Sequence, residues 1–153
     1  MRDVEGKGVE LFVYGTLMVP EVMGSVSGYA GGGEPALLHD YCRRQVRGEL
    51  YPAIMASVGD AVGGILYRGL TPAQLVLLDA FEGGMYRRQI VTVAVGARTL
   101  PAASYVLAPG LGHRLSDDDW SLDNFVAKDL RRFLADYPGF SAVSVEVSQY
   151  GHR

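Results

Sequence analysis

Apolar residues fall in short runs broken by glycine and proline, and the spacing inside each run predicts its element. Residues 9–17, Val-Glu-Leu-Phe-Val-Tyr-Gly-Thr-Leu, place apolar and aromatic side chains side by side. Such a run suits a strand covered on both faces. It stops at Gly15-Thr16-Leu17, and Pro20-Glu21-Val22-Met23 starts a short helical turn. Residues 28–35, with three consecutive glycines, turn the chain. Residues 36–50 are extended until Tyr51-Pro52 breaks them, and residues 62–70 form a second apolar strand. Thr71-Pro72-Ala73-Gln74 then offers an N-cap hydroxyl, a proline at the first helical position and a glutamine at the third. That is a capping box, and Gly83-Gly84 closes the helix it starts.

Residues 85–95 are rich in β-branched side chains, and residues 100–107 return as their partner across Gly96-Ala97-Arg98. Residues 109–112 turn the chain and 116–119 are polar loop. A second helix is expected over 122–136, capped by Ser121. Its apolar stripe is Leu122, Phe125, Val126, Leu130, Phe133 and Leu134, and Tyr137-Pro138-Gly139 ends it. Residues 140–147 alternate as a last strand. Many strands with two inserted helices make an α+β fold, a small mixed or closed sheet. The 153 residues are expected to form one domain, with a core over about 10–108 and a C-terminal helix and strand over about 121–147.

Composition narrows the function. Fourteen Lys and Arg against seventeen Asp and Glu give a net charge of −3, which argues against a nucleic-acid protein. Twenty glycines, without a Gly-x-y period, mark turns and close backbone approaches. The single cysteine, Cys42, excludes an internal disulfide and reads as a partly buried structural residue. Met1 to Gly8 holds mixed charge and no apolar run, so no signal peptide is expected, and no stretch reaches membrane-spanning length. These features fit a cytoplasmic soluble domain with no membrane partner.

Two sites could carry chemistry. At about 100° per residue, Glu82 falls within ~20° of Leu75 on the inward stripe of its helix. It also sits at the negative end of the helix dipole, and both effects push a carboxylate's pKa up, toward general acid–base work. The alternative is a helix that ends by Phe81, with Glu82 in water or paired with Arg87 or Arg88. Tyr14-Gly15-Thr16-Leu17 is the second site, because a strand that ends in glycine exposes backbone N–H groups to an anion or oxyanion. Other motifs fail. Residues 24–28 do not match the Gly-x-Ser-x-Gly order, and His39, His113 and His152 lack metal-ligand spacing. Asp117-Asp118-Asp119 reads as a solvated loop, and Arg43, Arg44 and Arg47 as a solvated strand edge.

Leu11-Phe12-Val13-Tyr14-Gly15-Thr16-Leu17-Met18, followed by Leu78-Asp79-Ala80-Phe81-Glu82-Gly83-Gly84-Met85-Tyr86-Arg87-Arg88, resembles the gamma-glutamylcyclotransferase-like family. That group includes the gamma-glutamylamine cyclotransferases and the plant avirulence-induced proteins. The segments at 46–53 and 62–67 match it too, and Asp119-Trp120 with the helix through Phe133 is similar to the longer plant-type members. The resemblance implies a small mixed β-barrel flanked by helices, with a cavity at one end. It implies that Tyr14, Gly15, Thr16 and Leu17 hold a gamma-glutamyl group and that Glu82 is the general acid/base. It further implies release of 5-oxoproline from a gamma-glutamyl amine or gamma-glutamyl amino acid, with no cofactor and no metal. A non-catalytic small-ligand or interaction module on the same fold is the rival. Tyr86, Tyr67 and Tyr105 are candidates for the pocket wall or for the core. Only Tyr86 joins the substrate-binding set, since a one-residue register decides the face of Tyr105.

Overall fold

The computed structural model describes residues 8–136. The expected helix stop at Tyr137-Pro138-Gly139, the strand at 140–147, His152 and the residues before Gly8 lie outside the described residues. Five strands close a barrel: β1 (Val9–Val13), β2 (Gly33–Gln45), β3 (Pro52–Leu70), β4 (Tyr86–Val95) and β5 (Arg98–Leu107), in the order β1-β3-β2-β4-β5. All neighbours are antiparallel except β1 and β5, which are parallel and close the ring with Leu11 beside Ala103. The mixed barrel with flanking helices is the architecture expected above.

Alternation along the strands sorts the core into two clusters. Phe12, Tyr14, Leu38, Ile54, Val62, Leu66, Val91, Val93, Ala102 and Val106 form one, with members from all five strands, and so fill the barrel. Leu11, Val13, Ala103, Tyr105 and Leu107 point the other way, into a second cluster under the helices. Both faces of β1 are therefore covered from Leu11 on, which explains the apolar run Leu11-Phe12-Val13.

Three helices build that outer layer. α1 (Pro20–Ser27) is a full two turns rather than the single turn expected, and Gly28 ends it in the left-handed region (φ 78°). α2 (Pro72–Glu82) starts on the predicted capping box. The Gln74 N–H donates to Thr71 Oγ1 at 3.1 Å, and the Thr71 N–H donates to Gln74 Oε1 at 3.0 Å. Leu75, Leu78 and Phe81 form its buried stripe, and Gly83 closes it with φ 80°. The third, α3, is one helical run in three pieces: Leu122–Asn124, a π-helical turn Phe125–Asp129, and Leu130–Asp136. The Ser121 hydroxyl caps it by accepting the Asn124 N–H at 3.1 Å.

Two expectations need correction. β3 begins at Pro52, ten residues before the predicted strand, because Pro52 opens the strand at a position where a missing N–H is tolerated. Its first half is disguised by a bulge: pairing runs to His39↔Ala61 and resumes at Tyr41↔Ala56, so residues 57–60 have no partner. Asp40 adopts φ 66° there and accepts the Gly59 N–H at 2.9 Å. Val126 is exposed rather than part of the buried stripe, since the π turn rotates the helix beneath it. Among the described residues, no helix is long and apolar enough to cross a membrane.

Candidate active site

One end of the barrel opens into a narrow cleft that is continuous with solvent. Tyr14, Gly15, Thr16, Leu17, Glu82 and Tyr86 all line it, so the six residues singled out in the sequence meet in one place. β1 ends at Val13, and the chain turns through Gly15 into a single 3-10 turn, Thr16–Met18. Within that turn the Met18 N–H donates to the Gly15 carbonyl at 2.9 Å, and the Val19 N–H donates to the Thr16 carbonyl at 3.1 Å.

Glycine at position 15 is a packing requirement. A Cβ there would lie 2.8 Å from Cδ and 2.9 Å from Cγ of Pro52, a rigid ring. Pro52 is held in turn by Tyr86, whose hydroxyl donates to its carbonyl at 2.7 Å. Tyr14 contributes a buried side chain rather than a free hydroxyl: its phenol donates to the Tyr105 carbonyl. Leu17 is buried, and its carbonyl accepts from the Tyr67 hydroxyl at 3.0 Å. Tyr67 thus supports the loop from outside the cleft, where it borders a separate groove with Met18, Met23 and Tyr29. Tyr105 lines the cleft itself, a residue that the sequence left outside the site set. The register Arg88↔Tyr105 decides this, by turning residues 103, 105 and 107 of β5 toward the helices.

α2 runs through Glu82, which is half-buried and is the one carboxylate among the described residues that line the cleft. Arg88 is engaged one turn earlier on the helix. Its Nε donates to Asp79 Oδ1 at 2.8 Å and its Nη2 to Asp79 Oδ2 at 3.1 Å, while the Tyr105 hydroxyl donates to the same Oδ1 at 2.6 Å. The phenols record the local field. Burial pushes the Tyr14 pKa well up, and the Glu82 charge adds to the rise. Tyr105 is raised mainly by burial, then by its bond to Asp79 and by the charges of Asp79 and Glu82. Both stay neutral at physiological pH. The Glu82 carboxylate therefore shares the cleft with two neutral phenols and with the loop at 14–17.

Sequence reasoning missed Arg43. Its side chain is only 17% exposed, so it is not part of a solvated edge. Nη1 donates to the Tyr14 carbonyl at 2.9 Å, while Nε and Nη2 grip Asp119 at 2.7 and 3.2 Å. Asp119 accordingly is not an idle loop residue. A second missed contributor is Phe133 of α3, buried on the cleft wall with its ring 6.3 Å from that of Phe81. Its helical spacing was visible, but its destination was not.

A family model described as gamma-glutamyl cyclotransferase, AIG2-like, matches residues 11–122. The chain belongs to that family. It is 35% identical over 93 residues to Protein AIG2 C of Arabidopsis thaliana, covering 61% of this chain and 56% of that one. It is 36% identical over 83 residues to AIG2-like protein D of the same plant, covering 54% and 55%. The chain thus spans little more than half the length of these curated relatives. Among solved structures, an Arabidopsis thaliana protein solved in solution superposes with a TM-score of 0.66 at 26% identity, over 85% of this chain and 79% of that one. An AIG2-like protein from Mus musculus superposes with a TM-score of 0.59 at 23% identity, over 74% and 87%, and shares the fold. This gamma-glutamyl cyclotransferase-like chain carries Tyr14 to Leu17, Glu82 and Tyr86 within the matched span, whereas Phe133 lies beyond it.

Proposed function

We propose that the protein releases 5-oxoproline from a gamma-glutamyl amine or gamma-glutamyl amino acid, with Glu82 as general acid/base. The reading is supported above all by one observation: Glu82 and the glycine-turned loop at 14–17 line the same cleft. The α-amino group of a gamma-glutamyl compound is ordinarily an ammonium and has no lone pair to attack with. Glu82, as a carboxylate, takes one proton from it. The freed amine attacks the side-chain γ-carbonyl and a five-membered ring closes as the new C–N bond forms. The old γ-amide C–N bond breaks as the leaving nitrogen takes the proton held by Glu82; the ring nitrogen then sheds its surplus proton to the same carboxylate, which passes it to the departing amine, so the leaving group departs as an ammonium. No water is consumed, and the carboxylate is regenerated.

Both reacting groups belong to one molecule, so the task of the cleft is to fold that molecule. The N–H groups of the 14–17 loop hold the glutamyl portion, and the aromatic walls limit its motion. Intramolecular reactions held in good geometry reach effective molarities of ~10⁵ M or more.

The test is a panel of gamma-glutamyl amines and amino acids assayed for 5-oxoproline, beside Glu82→Gln. Wild-type release from at least one compound, lost in the variant, is the expected result. Release from none would leave a binding module, and equal release by Glu82→Gln would remove Glu82 from its role.

A further inference from the structure

We propose that Arg43 is a positioning residue that aims the Gly15 N–H into the cleft, and that the segment carrying Asp119 and Trp120 holds Arg43 in place to do so. The proposal rests on the cyclotransferase reading for its kinetic consequence and on geometry alone for the orientation of Gly15.

A trans peptide is planar, and its C=O and N–H point in opposite directions. The carbonyl of Tyr14 and the N–H of Gly15 belong to one such plane. Arg43 Nη1 donates to that carbonyl at 2.9 Å. The bond prevents the plane from rotating and leaves the Gly15 N–H directed away from Arg43. Gly15 lines the cleft and Arg43 does not. A cationic donor on the carbonyl also polarises the peptide, which makes the N–H on its far side a stronger donor.

The guanidinium can do this because every other freedom is removed. Asp119 takes two of its nitrogens in a fork, at 2.7 and 3.2 Å. The Trp120 ring lies under it, 5.5 Å from Cζ. Trp120 is fixed in turn: its backbone N–H donates to Asp119 Oδ1 at 2.6 Å, and its indole N–H donates to the Leu50 carbonyl at 2.8 Å. Leu50 lies two residues before Pro52, the ring that packs against Gly15. One network therefore brackets Gly15 on two sides, through its carbonyl-side peptide and through its Cα. Lysine cannot replace the fork, because one ammonium on a flexible stem does not serve the Tyr14 carbonyl and both Asp119 oxygens in fixed geometry.

The experiment compares wild type with Arg43→Met, Arg43→Lys and Arg43→Ala in the full chain. Steady-state release of 5-oxoproline is measured alongside thermal unfolding and the amide resonance of Gly15. For Arg43→Met, kcat is expected to fall by about 100-fold with a much smaller change in KM, the signature of a misplaced rather than an unbound substrate. Lysine should restore little of it, and guanidinium ion added to Arg43→Ala should restore part. A folded Arg43→Met that keeps kcat within about threefold of wild type would overturn the proposal. If wild type itself releases no 5-oxoproline from any compound, the cyclotransferase reading fails on its own. The Gly15 amide then decides the matter: it should move in Arg43→Met and return toward wild type when guanidinium is added to Arg43→Ala. An unmoved Gly15 amide in the folded Met variant sinks the positioning role.

Discussion

Two helices reach the cleft, and they do so by different arithmetic. α2 is regular, and seven residues carry it from Leu75 to Glu82, close to two full turns. α3 needs eight residues, Phe125 to Phe133, to bring two rings to one face, 5.3 Å apart and nearly perpendicular at 74°. The extra residue is absorbed by the π turn at Phe125–Asp129. Without it, Phe133 would sit ~80° around the helix from Phe125. The consequence is a division of labour at the cleft: α2 ends in the ionisable group, and α3 supplies an apolar wall. A helix with uniform phase can be projected from its caps, whereas one with a wide turn cannot.

The largest expected effect separates chemistry from packing. Glu82→Gln at the end of α2 should lose ~10²–10⁴-fold in 5-oxoproline release while its melting temperature stays near wild type. Deleting exposed Val76 from α2 should be nearly as damaging to activity. Everything after the deletion turns by about 100°, which swings Glu82 off the cleft. The assay there should be read with circular dichroism to show that the helix persists. Phe133→Ala in α3 should cost ~3–5 kcal/mol of stability, since the ring is buried against Phe81 and Phe125. Denaturant unfolding measures that. A smaller loss, ~1 kcal/mol, is expected from Thr71→Ala, which removes the side-chain half of the α2 cap. Smallest of all should be deletion of exposed Ala127 from the π turn. Seven residues would then separate Phe125 from Phe133 in an ordinary α-helix, and both rings would keep their face. Unfolding of that variant close to the wild-type midpoint, beside a disabled Val76 deletion, would establish the contrast. Equal damage from both would dissolve it.

Legibility followed the same division. α2 could be read from Thr71 to Gly83, because capping is local chemistry between residues three apart. The glycine turn that follows β1 and the β4–β5 hairpin were legible for the same reason. The first half of β3 was not. Pro52, Gly59 and the unpaired residues at 57–60 look like a loop until a partner strand supplies the hydrogen bonds. Tyr105 depended on a register that only the sheet decides. Arg43 resembled any surface arginine, and its partners lie 29 and 76 positions away in the chain. Long-range polar contacts of that kind leave no periodic trace. In the site, the two motif-bearing segments could be found in the sequence, while the supporting layer of Pro52, Tyr105, Arg43 and Phe133 could not.

β1 is only five residues long, yet its successive side chains are divided between the barrel interior and the helical layer. Leu11 and Val13 anchor one and Phe12 the other. Neither layer can loosen without withdrawing a wall from its neighbour, so the strand acts as a shared spine that makes melting all-or-none there. The loop at 14–17 hangs directly from that spine, and it inherits a rigidity that a surface turn of its size would not otherwise possess.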